Sequence, residues 1–149
     1  MSIASNIDKN HQIHISNEND LHKRVVAWIR RFRAELIVVP GLGELQKTDE
    51  MRMEAWGKGY KKGTPDLLIL NRHEHYRGMA IELKTPTGGG NLSKHQKLFL
   101  KQLRKNGFFV LVSNDYDEVI WQVERYALGT REDDSDTDVS DEEEEAEGD

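Results

Sequence analysis

Residues 63–70 read Gly-Thr-Pro-Asp-Leu-Leu-Ile-Leu and residues 79–85 read Met-Ala-Ile-Glu-Leu-Lys-Thr, and these two runs decide the fold. Each has the length and apolar content of a β-strand, and we place the first strand at 66–70 and the second at 79–85. The connector between them is polar and contains glycine, as turns do. The sequence therefore predicts a β-hairpin, which puts both strands in one sheet.

Two carboxylates and one ammonium group are predicted to meet on this hairpin. Side chains alternate between the faces of a strand, so Glu82 and Lys84 point the same way, about 6.6 Å apart along the chain. Asp66 lies at the start of the neighbouring strand. Charges among apolar neighbours are costly to bury unless something binds them. A hard divalent cation such as Mg²⁺ fits, because it takes one or two protein carboxylates together with substrate phosphate oxygens.

The predicted protein ligands are the carboxylates of Asp66 and Glu82 and the carbonyl oxygen of Leu83. Lys84 would then orient the attacking water or offset charge that develops on the phosphate. Without a metal, the same residues would form an exposed hairpin with a cross-strand salt bridge, worth ~0.2–1 kcal/mol.

The pattern resembles the PD-(D/E)xK nuclease superfamily. Pro65-Asp66 matches the first half of its signature and Glu82-Leu83-Lys84 the second half. With the run from Lys62 to Ile69 and a downstream segment from Ser93 to Gln96, the chain is similar to the VRR-NUC (virus-type replication-repair nuclease) domain over roughly residues 16–115. The resemblance implies a restriction-endonuclease-like fold and Mg²⁺ or Mn²⁺ as the cofactor.

Residues 17–36 are predicted to form an amphipathic helix, because apolar residues recur there at helical spacing. These are Leu21, Val25, Ile29 and Phe32. Glu18 extends that stripe toward the sheet, and the resemblance implies that Glu18 joins the metal site. The alternative is that an acid in the first turn stabilises the helix by ~0.3–1 kcal/mol. Glu50 and Glu54 are rival candidates for this extra carboxylate.

Gln96 lies on the inward stripe of a helix predicted over residues 91–106, and a buried amide needs hydrogen-bond partners. The resemblance places Gln96 in the catalytic neighbourhood. The alternative is a capping box, in which Gln96 bonds back to the main chain near Ser93.

The other predicted elements are a short strand over 36–40, a helix over 44–58 and, after the Gln96 helix, a strand over 108–113 and a helix over 115–128. Apolar residues of the helix over 44–58 are predicted to pack inward, namely Leu45, Met51, Met53, Ala55 and Trp56. The order of elements predicts an α/β fold with a mixed sheet flanked by helices. The site is expected at the edge of that sheet, where the hairpin strands diverge.

Residues 57–63 bring three lysines and a tyrosine to the chain just before Asp66. The glycines of this loop allow the main chain to approach a phosphate backbone, and the lysines supply positive charge. We predict DNA contacts from this loop and from the start of the helix that carries Gln96. The residues concerned are Lys58, Tyr60, Lys61, Lys62 and Lys94.

The 149 residues suit one domain, predicted at 16–128, between a flexible arm at 1–15 and a disordered acidic tail at 129–149. The net charge is −6, but residues 132–149 contain 12 Asp or Glu and no Lys or Arg. Residues 1–131 therefore carry 21 minus 15, or +6. A cationic body fits a polyanionic partner such as DNA. The tail is expected either to bind a basic protein partner or to compete with DNA.

The chain has no cysteine, which excludes disulfides and thiolate metal sites. No apolar run approaches the ~20 residues needed to cross a bilayer, so we expect a soluble, intracellular protein with no membrane partner.

The function predicted is metal-dependent hydrolysis of DNA phosphodiester bonds. A small domain has little surface for reading sequence, which favours structure-specific cutting. The resemblance implies a homodimer acting on branched or flapped DNA, such as a Holliday junction. Two alternatives stay open: RNA as the substrate, and a catalytically silent DNA-binding module or regulator whose acidic tail recruits a basic partner.

Overall fold

The computed structural model describes residues 15–88 and 90–130. Of the arm predicted at 1–15 and the acidic tail predicted at 129–149, residues 1–14 and 131–149 lie outside the described residues. The elements, in chain order, are α1 (Glu18–Phe32), β1 (Val38–Pro40), a 3₁₀ turn (Gly43–Leu45), α2 (Asp49–Gly57), β2 (Leu67–Ile69), β3 (Gly78–Leu83), α3 (Lys94–Lys105), β4 (Phe108–Ser113) and α4 (Tyr116–Leu128). No helix in these ranges is long and apolar enough to span a bilayer.

The four strands form one mixed sheet in the order β1-β2-β3-β4. β2 and β3 are antiparallel, with Leu68 opposite Ala80, so the predicted hairpin is confirmed. β1 is antiparallel to β2, and β4 is parallel to β3. The predicted fold class, a mixed sheet flanked by helices, is confirmed. The sequence predicted the site at the edge of the sheet. The hairpin strands are however the two central strands, so Asp66 and Glu82 lie at strand ends in the middle of the sheet.

Alternation along β3 divides the sheet into two faces. Ile81 and Leu83 belong to the main hydrophobic core, which they form with side chains of α1 and α4. These partners include Leu21, Val25, Ile29, Val119 and Val123. Glu82 lies between the two apolar residues in sequence and therefore faces the opposite side, toward α3.

α1 is capped by Asn17, whose side chain accepts a hydrogen bond from the backbone N–H of Asp20. The helix ends at Phe32, earlier than the predicted residue 36, because Arg33 leaves the helical conformation with φ −139°. Phe32, predicted to face inward, is 37% exposed.

The predicted helix over residues 44–58 is wrong in its extent and in its packing. It is divided into the 3₁₀ turn and α2, and Thr48 caps α2 by accepting from Met51 N–H. Its apolar side chains are exposed rather than packed, with Trp56 76% exposed and Ala55 half-buried. At 100° per residue, the side chains at 51, 53 and 56 spread over roughly half of the helix circumference, so no single apolar face forms.

The second half of the chain follows the predicted order with smaller corrections. α3 begins at Lys94, three residues later than predicted, where Ser93 caps the helix. β4 matches the predicted strand over 108–113, and along it only Leu111 and Ser113 are buried. In the hairpin connector, His73 is half-buried, stacks on Tyr126 and forms a β-bridge with Thr130.

Candidate active site

Asp66 and Glu82 lie side by side at the same end of β2 and β3. Leu67 is opposite Ile81 in the sheet, so continuing the register by one residue places Asp66 opposite Glu82. Asp66 Oδ2 accepts a hydrogen bond of 2.7 Å from Leu83 N. Glu82 is only 3% exposed. The hairpin therefore brings together the two carboxylates that the sequence singled out.

Lys84 and Gln96 complete a connected polar group around Glu82. Lys84 Nζ lies 3.6 Å from Glu82 Oε1 and donates to Gln96 Oε1 at 3.1 Å. Gln96 Nε2 donates to Glu82 Oε1 at 2.8 Å. Direct contacts between the end of β3 and α3 thus hold three groups in one geometry: the Glu82 carboxylate, the Lys84 ammonium and the Gln96 amide.

Gln96 also closes the capping box of α3. Its Oε1 accepts from Ser93 N at 2.9 Å, and Ser93 Oγ accepts from Gln96 N at 3.2 Å. The capping interpretation of Gln96 is therefore confirmed, and the same side chain also contacts Glu82, whereas its catalytic role stays a prediction. The cap fixes the first turn of α3 and so fixes the amide that contacts Glu82.

The surroundings of Glu82 disfavour its charge. Burial raises the pKa of Glu82 from 4.5 to about 7, and the charge of Asp66 acts in the same direction, whereas Lys84 opposes it. Glu82 Oε2 is buried and has no hydrogen-bond partner. A divalent cation would supply a partner for this oxygen and offset both carboxylate charges. The residues present therefore fit a hard metal ion.

The ligand set on the protein is small. Within the described ranges, no three His, Cys, Asp or Glu side chains are close enough together to form a metal-binding cluster. Mg²⁺ often keeps several waters and takes only one or two carboxylates from the protein, so Asp66 and Glu82 suffice. The carbonyl of Leu83 stays a prediction.

Glu18 lies beside this group, under the glycine loop that follows β3. Its Oε1 accepts a hydrogen bond of 3.1 Å from Thr85 Oγ1. A methyl group added at Gly90 would lie 3.6 Å from Glu18 Oε1 and 3.1 Å from Lys84 Cδ, so this glycine allows the loop to pass close to both side chains. Glu18 is thus turned toward the end of β3, and metal ligation by it stays a prediction.

Two further ionisable residues act on the site and were missed by the sequence reasoning. Burial is the main cause that raises the pKa of Asp66, and the charges of Glu18 and Glu44 add to it. The Leu83 amide and His22 act in the opposite direction.

His22 follows Glu18 by four residues on α1, a spacing that puts both on one helix face and that could have identified it. Glu44 carries no comparable signal, because the left-handed residue Leu42, with φ 56°, turns the chain just before it. The rival acids Glu50 and Glu54 are exposed on α2, and neither is among the charges that shift the pKa of Asp66.

Tyr60 is turned toward the carboxylates. Burial raises the pKa of Tyr60, and the charges of Glu44, Asp66 and Glu82 raise it further. A methyl group added at Gly43 would lie 2.5 Å from the Tyr60 hydroxyl, so the Tyr60 side chain packs closely against this glycine. Tyr60 therefore borders the site instead of projecting freely from the loop over residues 57–63, which we call the basic loop.

The predicted DNA-binding lysines lie in different surroundings. Lys61 Nζ donates to Gln102 Oε1 at 3.3 Å and lies over the Phe99 ring, both on α3. Lys58 pairs with Glu54 at 3.0 Å at an exposed position. Lys62 and Lys94 are exposed. Contact of these lysines with DNA stays a prediction.

A family model for the VRR-NUC domain matches residues 4–114, well over half of the chain. Two chains of solved structures match as well. One of them, a VRR_NUC domain protein, has a TM-score of 0.63 and 23% sequence identity, and the match covers 79% of this chain and 93% of that chain. This structural similarity supports the shared fold. No curated protein matches the chain.

Proposed function

Because the chain belongs to the VRR-NUC family, which is part of a nuclease superfamily, we propose that it is a metal-dependent endonuclease that hydrolyses DNA phosphodiester bonds. One observation carries this proposal: Asp66, Lys84 and Gln96 surround a buried Glu82 that has one carboxylate oxygen without a partner. Buried polar atoms are almost always hydrogen-bonded, so the ion pair between Glu82 and Lys84 does not by itself account for this oxygen.

The proposed roles follow from these contacts. Asp66 and Glu82, assisted by Glu18, would hold Mg²⁺ or Mn²⁺, which polarises the phosphate and makes a bound water more acidic. Lys84 places its ammonium beside the metal-binding carboxylates, where it offsets charge on a phosphate oxygen or orients the attacking water. Gln96 forms hydrogen bonds with both Glu82 and Lys84, and so fixes the positions of the two charged side chains relative to each other.

We propose structure-specific cutting of branched or flapped DNA, in the manner of a Holliday-junction resolvase. The test measures cleavage rates on four fluorescently labelled substrates, each with Mg²⁺ and with Mn²⁺. The substrates are a four-way junction, a flap, a linear duplex and an RNA. Faster cleavage of the branched DNAs supports the proposal, and equal rates on every DNA contradict structure specificity. Binding without cleavage under either metal would instead support a silent DNA-binding module.

The same proposal includes a homodimer. A second copy would cover some of the exposed apolar side chains at the 3₁₀ turn and on α2. They include Leu42, Leu45, Met51, Met53 and Trp56. A solution mass of one chain by light scattering, at the concentrations used for cleavage, would exclude the dimer.

Gln96→Ala and Ser93→Ala are expected to separate capping from catalysis. Ser93→Ala removes the side-chain half of the cap and should lower the free energy of unfolding by about 0.5–2 kcal/mol. Cleavage should be largely kept, because the backbone N–H of residue 93 still holds the Gln96 side chain. Gln96→Ala should cost a similar amount of stability and also lower the cleavage rate about tenfold or more, because Glu82 and Lys84 lose their common partner. Urea unfolding and single-turnover cleavage measure the two effects. Equal cleavage by both variants would reduce Gln96 to a structural cap.

A further inference from the structure

α3 carries a row of cations, of which only Lys94 is among the DNA contacts predicted from the sequence. We call Lys94, Lys97, Lys101, Arg104 and Lys105 the α3 basic stripe. At 100° per residue, these five side chains fall within an arc of about 100° around the helix. All five are exposed. None of them forms an ion pair with another residue that the structure describes.

The stripe is unfavourable for an isolated helix. α3 contains no Asp or Glu, so none of its cations has an acidic partner three or four residues away. Neighbouring like charges at these spacings destabilise a helix. Lys94 also places a positive charge at the N-terminus of the helix, where the helix dipole disfavours it. A polyanion bound along the stripe would relieve both effects.

The stripe begins beside the candidate active site and leads away from it. Gln96, in the first turn of α3, contacts Glu82, and ten residues separate Lys94 from Arg104. That distance along a helix is about 15 Å. The basic loop reaches α3 on another side, where Lys61 contacts Phe99 and Gln102. The stripe is therefore a surface separate from the loop.

We propose that the α3 basic stripe binds the sugar-phosphate backbone of a duplex DNA arm that extends from the scissile phosphate. This inference rests on the proposed nuclease function and adds where the substrate lies. About 15 Å of helix matches about four phosphates of one strand, at 3.4 Å of duplex axis each. The stripe itself offers no stacking platform for single-stranded bases, because both aromatic rings of α3, His95 and Phe99, lie outside its arc and Phe99 is half-buried beneath Lys61.

The test is the salt dependence of DNA binding by Lys97→Ala/Lys101→Ala. Affinity for a labelled duplex of about 20 base pairs is measured by fluorescence anisotropy in EDTA, which prevents metal-dependent cleavage, over a series of salt concentrations. The slope of log Kobs against log salt should be smaller by about 2 than in the wild type, because each phosphate contact contributes about 0.9. Alanine has a higher helix propensity than lysine at an exposed position, so the variant should keep the wild-type circular dichroism spectrum and melting temperature.

Arg52→Ala/Arg125→Ala is the matched control. It removes the same charge from α2 and α4, where Arg52 pairs with Asp49 and Arg125 lies over Trp121. Its slope should equal that of the wild type. The proposal that the α3 basic stripe binds DNA would be wrong if the salt slope of the stripe variant equalled that of the wild type, or if the control lowered the slope equally. If the wild-type protein neither binds nor cuts any DNA, the nuclease proposal itself is wrong. If the wild type cuts DNA but the slope of the stripe variant is unchanged, only the proposed binding along the stripe is wrong.

Discussion

Lys84→Ala is expected to lower the rate of DNA cleavage by at least about 10²–10³-fold while leaving DNA affinity close to that of the wild type. That range is the cost of removing one group aimed at charge that develops in a transition state. Lys84 Nζ lies 3.6 Å from Glu82 Oε1, and its side chain is only 13% exposed. We expect a side chain so enclosed to contribute little to general DNA attraction and to act at the reacting phosphate.

Single-turnover cleavage of a four-way junction at saturating protein measures the chemical step, and anisotropy measures affinity. Lys62→Ala is the control, because it removes the same charge from the exposed basic loop. This control should weaken binding and keep the rate at saturation. Lys84→Arg retains the positive charge but loses the compact ammonium, so partial recovery would assign the effect to charge. An undiminished rate in Lys84→Ala would refute the role given to this lysine.

Much of the site could be predicted because it depends on local spacing. The two-residue period of a strand puts Glu82 and Lys84 on one face, and a short hairpin then brings Asp66 opposite Glu82. Gln96 was found through the helical stripe of α3. Its two competing interpretations were not alternatives, since one amide oxygen accepts from both Ser93 N and Lys84 Nζ.

The parts that could not be predicted depend on three-dimensional packing. α2 was expected to pack inward because its residues are apolar, yet Met53 and Trp56 lie on exposed sides of a helix without a single apolar face. Glu44 acts on Asp66 only because the chain turns at Leu42. No spacing along the sequence encodes that approach. The unpartnered oxygen of Glu82 is likewise a property of the packed structure.

Without metal, the protein is expected to lose stability as pH rises from about 4.5 to about 7. Burial raises the pKa of Glu82 from 4.5 to about 7, so between these values the folded state binds a proton that the unfolded state has released. The free energy of unfolding then falls with rising pH and levels off above about 7. A difference of this size corresponds to about 3 kcal/mol. The raised pKa of Asp66 acts in the same direction.

Glu82→Gln should abolish most of this pH dependence, because the amide keeps the shape of the side chain and has no charge to desolvate. At pH 8 in EDTA, urea unfolding should find the variant more stable than the wild type. Added Mg²⁺ or Mn²⁺ should stabilise the wild type, as a ligand that binds only the folded state does, and should leave the variant unchanged. Glu50→Gln, at an exposed position on α2, is the control and should retain both wild-type responses. A variant that still gains stability from the metal would show that the ion binds without Glu82, and the assignment of this carboxylate as a ligand would be wrong.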